Sequence, residues 1–295
     1  MNKTKKFKKL MCSPHLNKTK KNKYTCYNDK HIYKLKKIWN NRFPDNKINS
    51  KNKKKIWNHI KKNMLFLCDN EKCWFEKLLG NHLKFDFFNY FAVNDYDKIF
   101  APFAPSSWKT NRKEWLSSID LHKVMKQYEL SHPNFIFLGV SPIDYDTIKN
   151  NGNCVTNNIC NFNMQDIVNK NIDKIGIIFN TDPHYKRGSH WISLFIDLKK
   201  KFIYYFDSNG DKEPNQIKKL IKTIQKKAID VHPKLNLEFY NNYPLKHQNT
   251  DGECGVYCLY FLIKLIKNSN MKTFHTKKIS DSLMNKYRKK LFNII

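Results

Sequence analysis

The feature that most constrains this chain is residues 188–266, where three regular elements follow one another with polar residues at their edges. Two β-rich runs, residues 191–196 and 202–206, are joined by five residues, a length suited to an antiparallel hairpin. Residues 255–266 then form an almost wholly apolar run of helical length. Because a helix that is apolar on every side has to be buried, this stretch predicts a sheet packed against a buried helix.

Three chemically versatile residues stand at the edges of these elements. His190 precedes the first strand, Asp207 follows the second, and Cys254 immediately precedes the apolar helix. Folding the hairpin brings the start of one strand level with the end of the other, so His190 and Asp207 are expected to meet at one rim. A helix N-terminus favours a thiolate over a thiol. The pattern predicts Cys254 as a nucleophile, His190 as its general base and ion-pair partner, and Asp207 as the group that orients the imidazole.

Gln248 lies six residues before Cys254 on a predicted polar loop. Its side-chain amide can donate to an oxyanion, with the backbone N–H of Cys254 as a second donor. Each signal alone has an ordinary structural explanation, since a cysteine before an apolar helix usually packs and Asp-Ser after a strand is a common turn. Their order on strand, strand and helix favours a cysteine-protease site.

The pattern elsewhere predicts two regions. After residue 101 it indicates strands at residues 135–140, 174–180 and about 235–240, a helix from about Ser118, and a helix opened by Pro214. The run Ala-Pro-Phe-Ala-Pro at residues 101–105 is a stiff connector. We therefore predict a catalytic domain over residues 101–295 and a basic helical extension over residues 1–100.

The extension is predicted to begin with a mobile, lysine-rich tail over residues 1–23. Apolar stripes then predict three short helices. The stripes are Ile32, Leu35, Ile38 and Trp39 in the first helix, Ile56, Trp57, Ile60, Met64, Leu65 and Leu67 in the second, and Trp74, Phe75, Leu78, Leu79 and Leu83 in the third. We interpret these stripes as packing surfaces.

The net charge of +30 raises the question of a polyanion partner. Only four of the 55 basic residues are arginine, which removes most of the side chains that grip phosphate in bidentate fashion. A solvated lysine surface is the favoured interpretation of the charge. Nucleic-acid binding through the basic residues 1–100 is kept as a hypothesis.

The eight cysteines are scattered rather than framed at close regular spacing, which predicts reduced thiols. Cys12, His15, Cys26, Cys68 and Cys73 invite a zinc interpretation, but their spacing lacks tight ligand pairs, so free thiols are favoured and no metal is expected. The lysine-rich start is followed by no apolar h-region, and no run is long enough to cross a bilayer. We expect a non-secreted protein without a membrane partner.

The site motifs resemble those of a known family. They are His190-Trp191, Asp207-Ser208, Gln248 and the run Asp-Gly-Glu-Cys-Gly-Val-Tyr at residues 251–257. These resemble the Ulp1-like cysteine proteases, a clan that includes the SUMO proteases and the adenovirus-type maturation proteases. The separation of 17 residues from histidine to acid and of six from glutamine to cysteine is expected of that family. The resemblance covers about residues 100–295.

This resemblance implies an α/β, or α+β, papain-like fold with a central mixed sheet flanked by helices. Within the clan the chain looks most like the proteases of large double-stranded DNA viruses, such as that of African swine fever virus, which also carry a helical N-terminal extension. There the acid position can be asparagine, whereas this chain has Asp207. The resemblance implies cleavage after small residues, commonly Gly-Gly, in a tunnel roofed by tryptophan, for which Trp191 and Trp115 are the candidates.

These inferences lead to a predicted cysteine endopeptidase that processes viral structural polyproteins during virion maturation, without a metal or organic cofactor. Its expected location is the virion and the viral factory in the host cytoplasm. Two alternatives stay open at this point. One is an isopeptidase that removes SUMO or another ubiquitin-like modifier, and the other is a non-enzymatic virion or nucleic-acid-binding protein with an inactive protease fold.

Overall fold

The computed structural model describes residues 6–19, 24–79 and 98–294. Part of the predicted tail and Leu83 of the predicted third helix lie outside these residues. The chain forms two compact units: an N-terminal unit of Met1–Ala104 with Leu291–Ile295, and a C-terminal unit of Pro105–Lys290. This division falls close to the predicted boundary, except that the last five residues cluster with the N-terminal unit.

The N-terminal unit is helical in its described part. Its helices are α1 (Pro14–Thr19), α2 (Asp29–Arg42), α3 (Lys53–Met64) and α4 (Glu71–Leu79). Asparagine side chains cap two of them, because Asn28 accepts from the His31 amide and Asn52 from the Lys55 amide. The core is rich in aromatic rings, and the buried Glu71 carboxylate ties it together by accepting from Trp57 Nε1 at 2.5 Å. The three predicted helices are present as α2, α3 and α4, although α3 ends at Met64 and Leu67 of its stripe is 47% exposed. The prediction of a mobile tail over residues 1–23 is wrong for its described part, because α1 forms there and Leu10 is buried.

The C-terminal unit is built around a five-stranded sheet. The strands are β1 (Phe135–Pro142), β2 (Lys174–Asn180), β3 (Trp191–Asp197), β4 (Phe202–Phe206) and β5 (Glu238–Asn241), in that spatial order. β1 pairs with β2 and β4 with β5 in parallel, while β2, β3 and β4 pair antiparallel. The predicted central mixed sheet is confirmed. β5 begins later than the predicted residue 235, because the Leu235 amide closes a turn onto the His232 carbonyl.

Helices cover both faces of the sheet. They are α5 (Ser118–Ser131), α6 (Asn157–Cys160), α7 (Met164–Asn169), α8 (Asn215–Val231), α9 (Cys254–Ile266), α10 (Thr273–Thr276) and α11 (Asp281–Leu291). On one face, the apolar side of α8 packs against Ile177, Leu194 and Ile203. On the other, Phe261 of α9 stacks on Phe206 with the ring centroids 4.7 Å apart. The predicted buried apolar helix is thus confirmed, and it holds its first residue against the sheet.

The prediction of reduced thiols is wrong for six of the eight cysteines. Disulfides join Cys12 to Cys26, Cys68 to Cys73 and Cys154 to Cys160. Their Cα atoms lie 5.2, 5.6 and 6.3 Å apart, within the range that a disulfide requires. Spacing along the chain does not report such proximity, because it arises from turns and tertiary packing. Cys254 and Cys258 are free and buried.

Within the described part of the chain, every helix is too short or too polar to span a membrane. The same residues contain no group of three or more His, Cys, Asp or Glu side chains arranged to hold a metal ion.

Candidate active site

The β3–β4 hairpin brings His190 and Asp207 together as the sequence predicts. Ser193 pairs with Phe206 across the two strands, so the residue before β3 and the residue after β4 lie at the same end of the hairpin. His190 Nε2 and Asp207 Oδ1 are 2.7 Å apart. The Asp207 carboxylate is buried and the imidazole is 15% exposed, so the pair is shielded on the acid side and open on the histidine side.

Cys254 is the first residue of α9 and is buried. The His190 imidazole lies close enough to its side chain for Cys254 to raise the histidine's pKa, and because Asp207 occupies Nε2, Nδ1 is the nitrogen left for the sulfur. Burial lowers the pKa of His190, but the hydrogen bonds and charges of Asp207 and Cys254 outweigh it and raise the pKa to about 10. The imidazole is therefore held as an imidazolium beside the sulfur at neutral pH.

The backbone at Asp207 is fixed by Asn242, a residue that the sequence analysis did not single out. The Asp207 amide donates to Asn242 Oδ1 at 2.9 Å, and Asn242 Nδ2 donates to the Asp207 carbonyl at 2.7 Å. The Asn209 amide also donates to Asp207 Oδ1 at 2.8 Å. Asn242 is fully buried next to β5, and nothing in its local sequence marks this long-range role.

Gln248 is held by the residue that follows Asp207. The Ser208 hydroxyl donates to Gln248 Oε1 at 2.8 Å, and the Ser208 carbonyl accepts from the Gln248 amide at 2.9 Å. Gln248 Nε2 donates one hydrogen to the Thr250 carbonyl at 2.8 Å, which leaves its second N–H for another acceptor. The Gln248 side chain is buried in a single orientation on the loop that leads to Cys254.

The two tryptophans proposed for the cleft differ in exposure. Trp191 is buried, and its Nε1 donates to the Leu116 carbonyl at 3.0 Å. Trp115 is 43% exposed and lies beside Gly252, where a Cβ would be 3.5 Å from Trp115 Cδ1. A Cβ on Gly255 would come within 3.3 Å of Trp191 Cδ1. The glycines on either side of Cys254 therefore allow both rings to approach the cysteine loop.

The start of α11 anchors the same loop from a second direction. Asp281 Oδ2 accepts from the Asn249 and Thr250 amides at 3.1 Å each. Asp281 Oδ1 accepts from the Tyr257 hydroxyl of α9 at 2.8 Å. Nothing in the sequence distinguishes Asp281 as part of the site, because an aspartate at a helix start is an ordinary capping signal.

His247 is a second buried histidine in this region, and it is built to stay neutral. Its Nδ1 accepts from the Ile279 amide at 3.1 Å, and its Nε2 lies 2.9 Å from the Phe274 carbonyl. An amide needs an acceptor and a carbonyl needs a donor, so the ring is the Nε2–H tautomer. Burial lowers the pKa of His247, in contrast to that of His190.

The assembled side chains have the composition needed for acyl transfer through a thioester. A thiol meets an imidazolium whose far nitrogen is held by a carboxylate, and an amide donor lies on the loop before the thiol. All four polar residues predicted from the sequence are present in one region of the C-terminal unit. Cys258, one turn further along α9, is fully buried, and burial raises its pKa.

Comparison with known proteins identifies similar chains. A family model described as the Ulp1 protease family, C-terminal catalytic domain, matches residues 146–295. A thiol protease of Acanthamoeba polyphaga mimivirus is 28% identical over 96% of this chain and 93% of its own length. A protease of African swine fever virus, named SUMO-1 cysteine protease, is 20% identical over 85% of this chain and 92% of its own length.

A solved structure shares the fold. The crystal structure of the African swine fever virus protease matches with a TM-score of 0.68, covering 97% of this chain and 96% of the other at 19% identity. The protease fold expected from the sequence motifs is confirmed by this match.

Proposed function

This chain belongs to the Ulp1 protease family and is a cysteine protease, and we propose that it cleaves viral structural polyproteins after small residues, at Gly-Gly-X sequences, during virion maturation. The observation that carries the proposal is the contact of His190 with both Asp207 and Cys254 at the start of a buried helix. These three groups are what a thiolate nucleophile with an oriented general acid requires.

In the proposed reaction, the Cys254 thiolate attacks the scissile carbonyl carbon and the carbonyl oxygen takes up the electron pair. The second N–H of Gln248 and the backbone N–H of Cys254 stabilise that oxyanion. The oxyanion then collapses, the C–N bond breaks, and the His190 imidazolium gives its proton to the leaving amine. In the second half, His190 takes a proton from water, and the resulting hydroxide attacks the thioester carbonyl carbon. The C–S bond then breaks, which releases the carboxylic acid product and restores the Cys254 thiolate beside the imidazolium.

The preference for small residues is proposed from the crowding around Cys254. Gly252 and Gly255 lie so close to Trp115, Leu116 and Trp191 that added Cβ atoms would come within 3.5 Å of each of those side chains. A substrate backbone that enters between these groups has little room for side chains next to the scissile bond. Glycine at the two positions before that bond meets this restriction without displacing a ring.

The viral part of the proposal comes from the relatives, two of which are proteases of large DNA viruses aligned over most of their length. An enzyme that processes structural polyproteins would act in the virion and in the viral factory of the host cytoplasm, which we propose as its location. No metal or organic cofactor takes part in the proposed steps.

The experiment that tests the activity is incubation of the purified chain with a vinyl-sulfone peptide ending in Gly-Gly, followed by mass spectrometry. Label on Cys254 that is lost in the His190→Ala variant supports the proposal. A folded chain with a free Cys254 thiol that stays unlabelled, also after addition of DNA and of virion extract, contradicts it. The same probe ending in Leu-Leu is the specificity control and should label slowly.

A second candidate is cleavage of a ubiquitin-like modifier from its conjugates, favoured by the name SUMO-1 cysteine protease that the African swine fever virus relative carries. The catalytic residues would be the same, and the difference would lie in the surface that grips the modifier. Comparing kcat/KM for a SUMO–peptide fusion with that for a short Gly-Gly-X peptide separates the two. A gain of more than about a hundredfold for the fusion would favour the isopeptidase.

The basic N-terminal region is proposed to bind nucleic acid as an activator. Lysines are frequent there, and the region is the more basic part of a chain whose net charge is +30. Peptidase activity measured with and without duplex DNA at low and high salt tests this proposal. Activation that disappears at high salt is the expected result, because phosphate contacts are lost as salt competes.

A further inference from the structure

Arg288 is a buried cation at the far side of the cysteine loop. It lies on α11, and its side chain is 3% exposed. Its Nε donates to Glu253 Oε2 at 3.2 Å, and Nη2 donates to the Gly252 carbonyl at 3.0 Å. Its Nη1 donates to the Glu114 carbonyl at 2.6 Å. One guanidinium therefore holds three groups from two chain segments.

The two segments that Arg288 joins both border the site. Gly252 and Glu253 directly precede Cys254, and Glu114 directly precedes the exposed Trp115. Gly252 has φ of +101°, and a Cβ there would lie 2.7 Å from the Lys113 carbonyl oxygen. Because the segments touch at this glycine, a shift of one moves the other.

The planar guanidinium is the group that fits this position. Its three nitrogens reach three acceptors in a fixed fork, and its carbon lies 4.7 Å from the centroid of the Trp108 ring. A lysine ammonium is a point charge on a flexible stem, and it cannot reproduce both the fork and the stacking. Arg288 is also one of only four arginines in a chain with 55 basic residues, which is the one sequence signal that could have identified it.

The contacts with Gly252 and Glu253 bear on the direction of the Cys254 amide. Glu253 occupies the N-cap position of α9, and its carboxylate is held by Arg288 rather than by the helix end. The Gly252 carbonyl belongs to the peptide before Glu253, so holding it together with the Glu253 side chain restrains Glu253 on both sides of its Cα. The next peptide plane carries the Cys254 N–H, and its Glu253 carbonyl accepts from the Tyr257 amide at 2.9 Å. That N–H is one of the two donors assigned to the oxyanion.

We propose that Arg288 is a positioning residue that aims the Cys254 amide at the oxyanion and holds Trp115 against the substrate, through its bonds to Gly252, Glu253 and Glu114. It touches neither the sulfur nor the substrate. This inference rests on the proposed function, because it presumes that Cys254 is the nucleophile. It predicts a defect in turnover and substrate binding with an intact thiolate–imidazolium pair.

The test uses the full chain with Arg288→Lys and measures two rates. The first is hydrolysis of a Gly-Gly-X reporter, resolved into kcat and KM. The second is alkylation of Cys254 by iodoacetamide, a small reagent that uses no oxyanion donor, with mass spectrometry to separate Cys254 from Cys258. We expect kcat to fall about 10- to 100-fold, below the cost of losing an oxyanion donor outright, with KM raised and alkylation within about twofold of wild type.

Arg42→Lys is the matched control, since Arg42 also donates to two backbone carbonyls, those of Lys77 and Leu78, in the N-terminal unit. It should leave both rates unchanged. If Arg288→Lys does not fold, Glu253→Gln reports on the same contact and should lower kcat by a smaller factor in the same direction. Unchanged kcat, or alkylation that falls in step with kcat, would overturn the inference.

Failure of the underlying proposal gives a different pattern. If wild type does not hydrolyse the reporter, or if its hydrolysis survives Cys254→Ala, the proposed function is wrong whatever Arg288 does. If wild type is active through Cys254 and Arg288→Lys matches Arg42→Lys, only the positioning role is wrong.

Discussion

Two buried acid–base pairs flank Cys254, and they are built for different tasks. His190 and Asp207 form the reactive pair, 2.7 Å apart with the imidazole partly open to solvent. Arg288 and Glu253 form the supporting pair, 3.2 Å apart and sealed, with side-chain exposures of 3% and 1%. The reactive pair contains a base that can release its proton, whereas a guanidinium stays charged at any pH a protein tolerates. The group that must titrate is placed where substrate can reach it.

The supporting pair is better explained by geometry than by stability. Taking two charges out of water costs several kcal/mol per ion, which their attraction repays only when the hydrogen bonding is complete. Here Glu253 Oε1 has no hydrogen-bond partner among the described residues, and burial raises the pKa of Glu253 against the opposing effect of Arg288. A pair that is incompletely satisfied but joins two segments at the site points to a role in holding their shape.

Breaking the reactive pair should give the largest effect. His190→Ala removes both the imidazolium that holds the thiolate and the acid that protonates the leaving amine, so kcat/KM should fall by about 10³-fold or more. Steady-state hydrolysis of the Gly-Gly-X reporter measures it. His184→Ala is the control, because His184 also contacts an aspartate, Asp144, at 2.6 Å but is exposed. Equal losses in both variants would remove His190 from the mechanism.

Gln248 is an oxyanion donor that belongs to neither pair, so its loss separates an effect on the oxyanion from an effect on the Cys254 nucleophile. Gln248→Ala removes a side-chain donor from the oxyanion while leaving His190, Asp207 and Cys254 in place, so kcat should fall about 10²- to 10³-fold. Alkylation of Cys254 by iodoacetamide should stay near the wild-type rate. Ser208→Ala, which removes only the hydroxyl that orients Gln248, should show a smaller loss of the same kind. A parallel loss of alkylation would place Gln248 with the reactive pair instead.

Neutralising the acid of the reactive pair should move its pH dependence. The Asp207 hydrogen bond and charge help raise the pKa of His190 to about 10, so the imidazolium is lost only as pH rises through that value. In Asp207→Asn the alkaline limb of the kcat/KM profile should move down by about one to three pH units. Asp211→Asn, an exposed acid on the following loop, should leave the profile unchanged. A profile that does not move in Asp207→Asn would contradict the assignment.

The smallest expected effect concerns the stability contributed by His247, which belongs to neither pair. Burial lowers the pKa of His247 below its ordinary value near 6.5, so its contribution is fully present above that pH and is lost as pH falls below it. The thermal midpoint of wild type should therefore drop between pH 7 and pH 5. His247→Gln should have a lower midpoint at pH 7 and a shallower drop, while the exposed His232→Gln should follow wild type.

Much of the reactive pair's surroundings could be predicted from the sequence, because its residues stand at the ends of elements that are visible in the local sequence pattern. A hairpin of known loop length places His190 opposite Asp207, and the start of the apolar helix marks the position of Cys254. The supporting pair could not be predicted in this way. Arg288 lies 35 residues beyond Glu253 and 174 beyond Glu114, and only the packing of α11 brings them together. The prediction of reduced thiols is wrong for the same reason, since the proximity of the six bonded cysteines in space leaves no pattern in their spacing along the chain.

Asp207 and Ser208 stand next to each other at the end of β4, and one orients the base while the other orients the oxyanion donor. Proton transfer and oxyanion stabilisation therefore both depend on the position of one strand end. Insertions in the turn at residues 198–201, at the other end of the hairpin, would leave Asp207 and Ser208 in place. A one-residue slip of β4 would displace Asp207 and Ser208 together, so a single register error would impair both the base and the oxyanion donor.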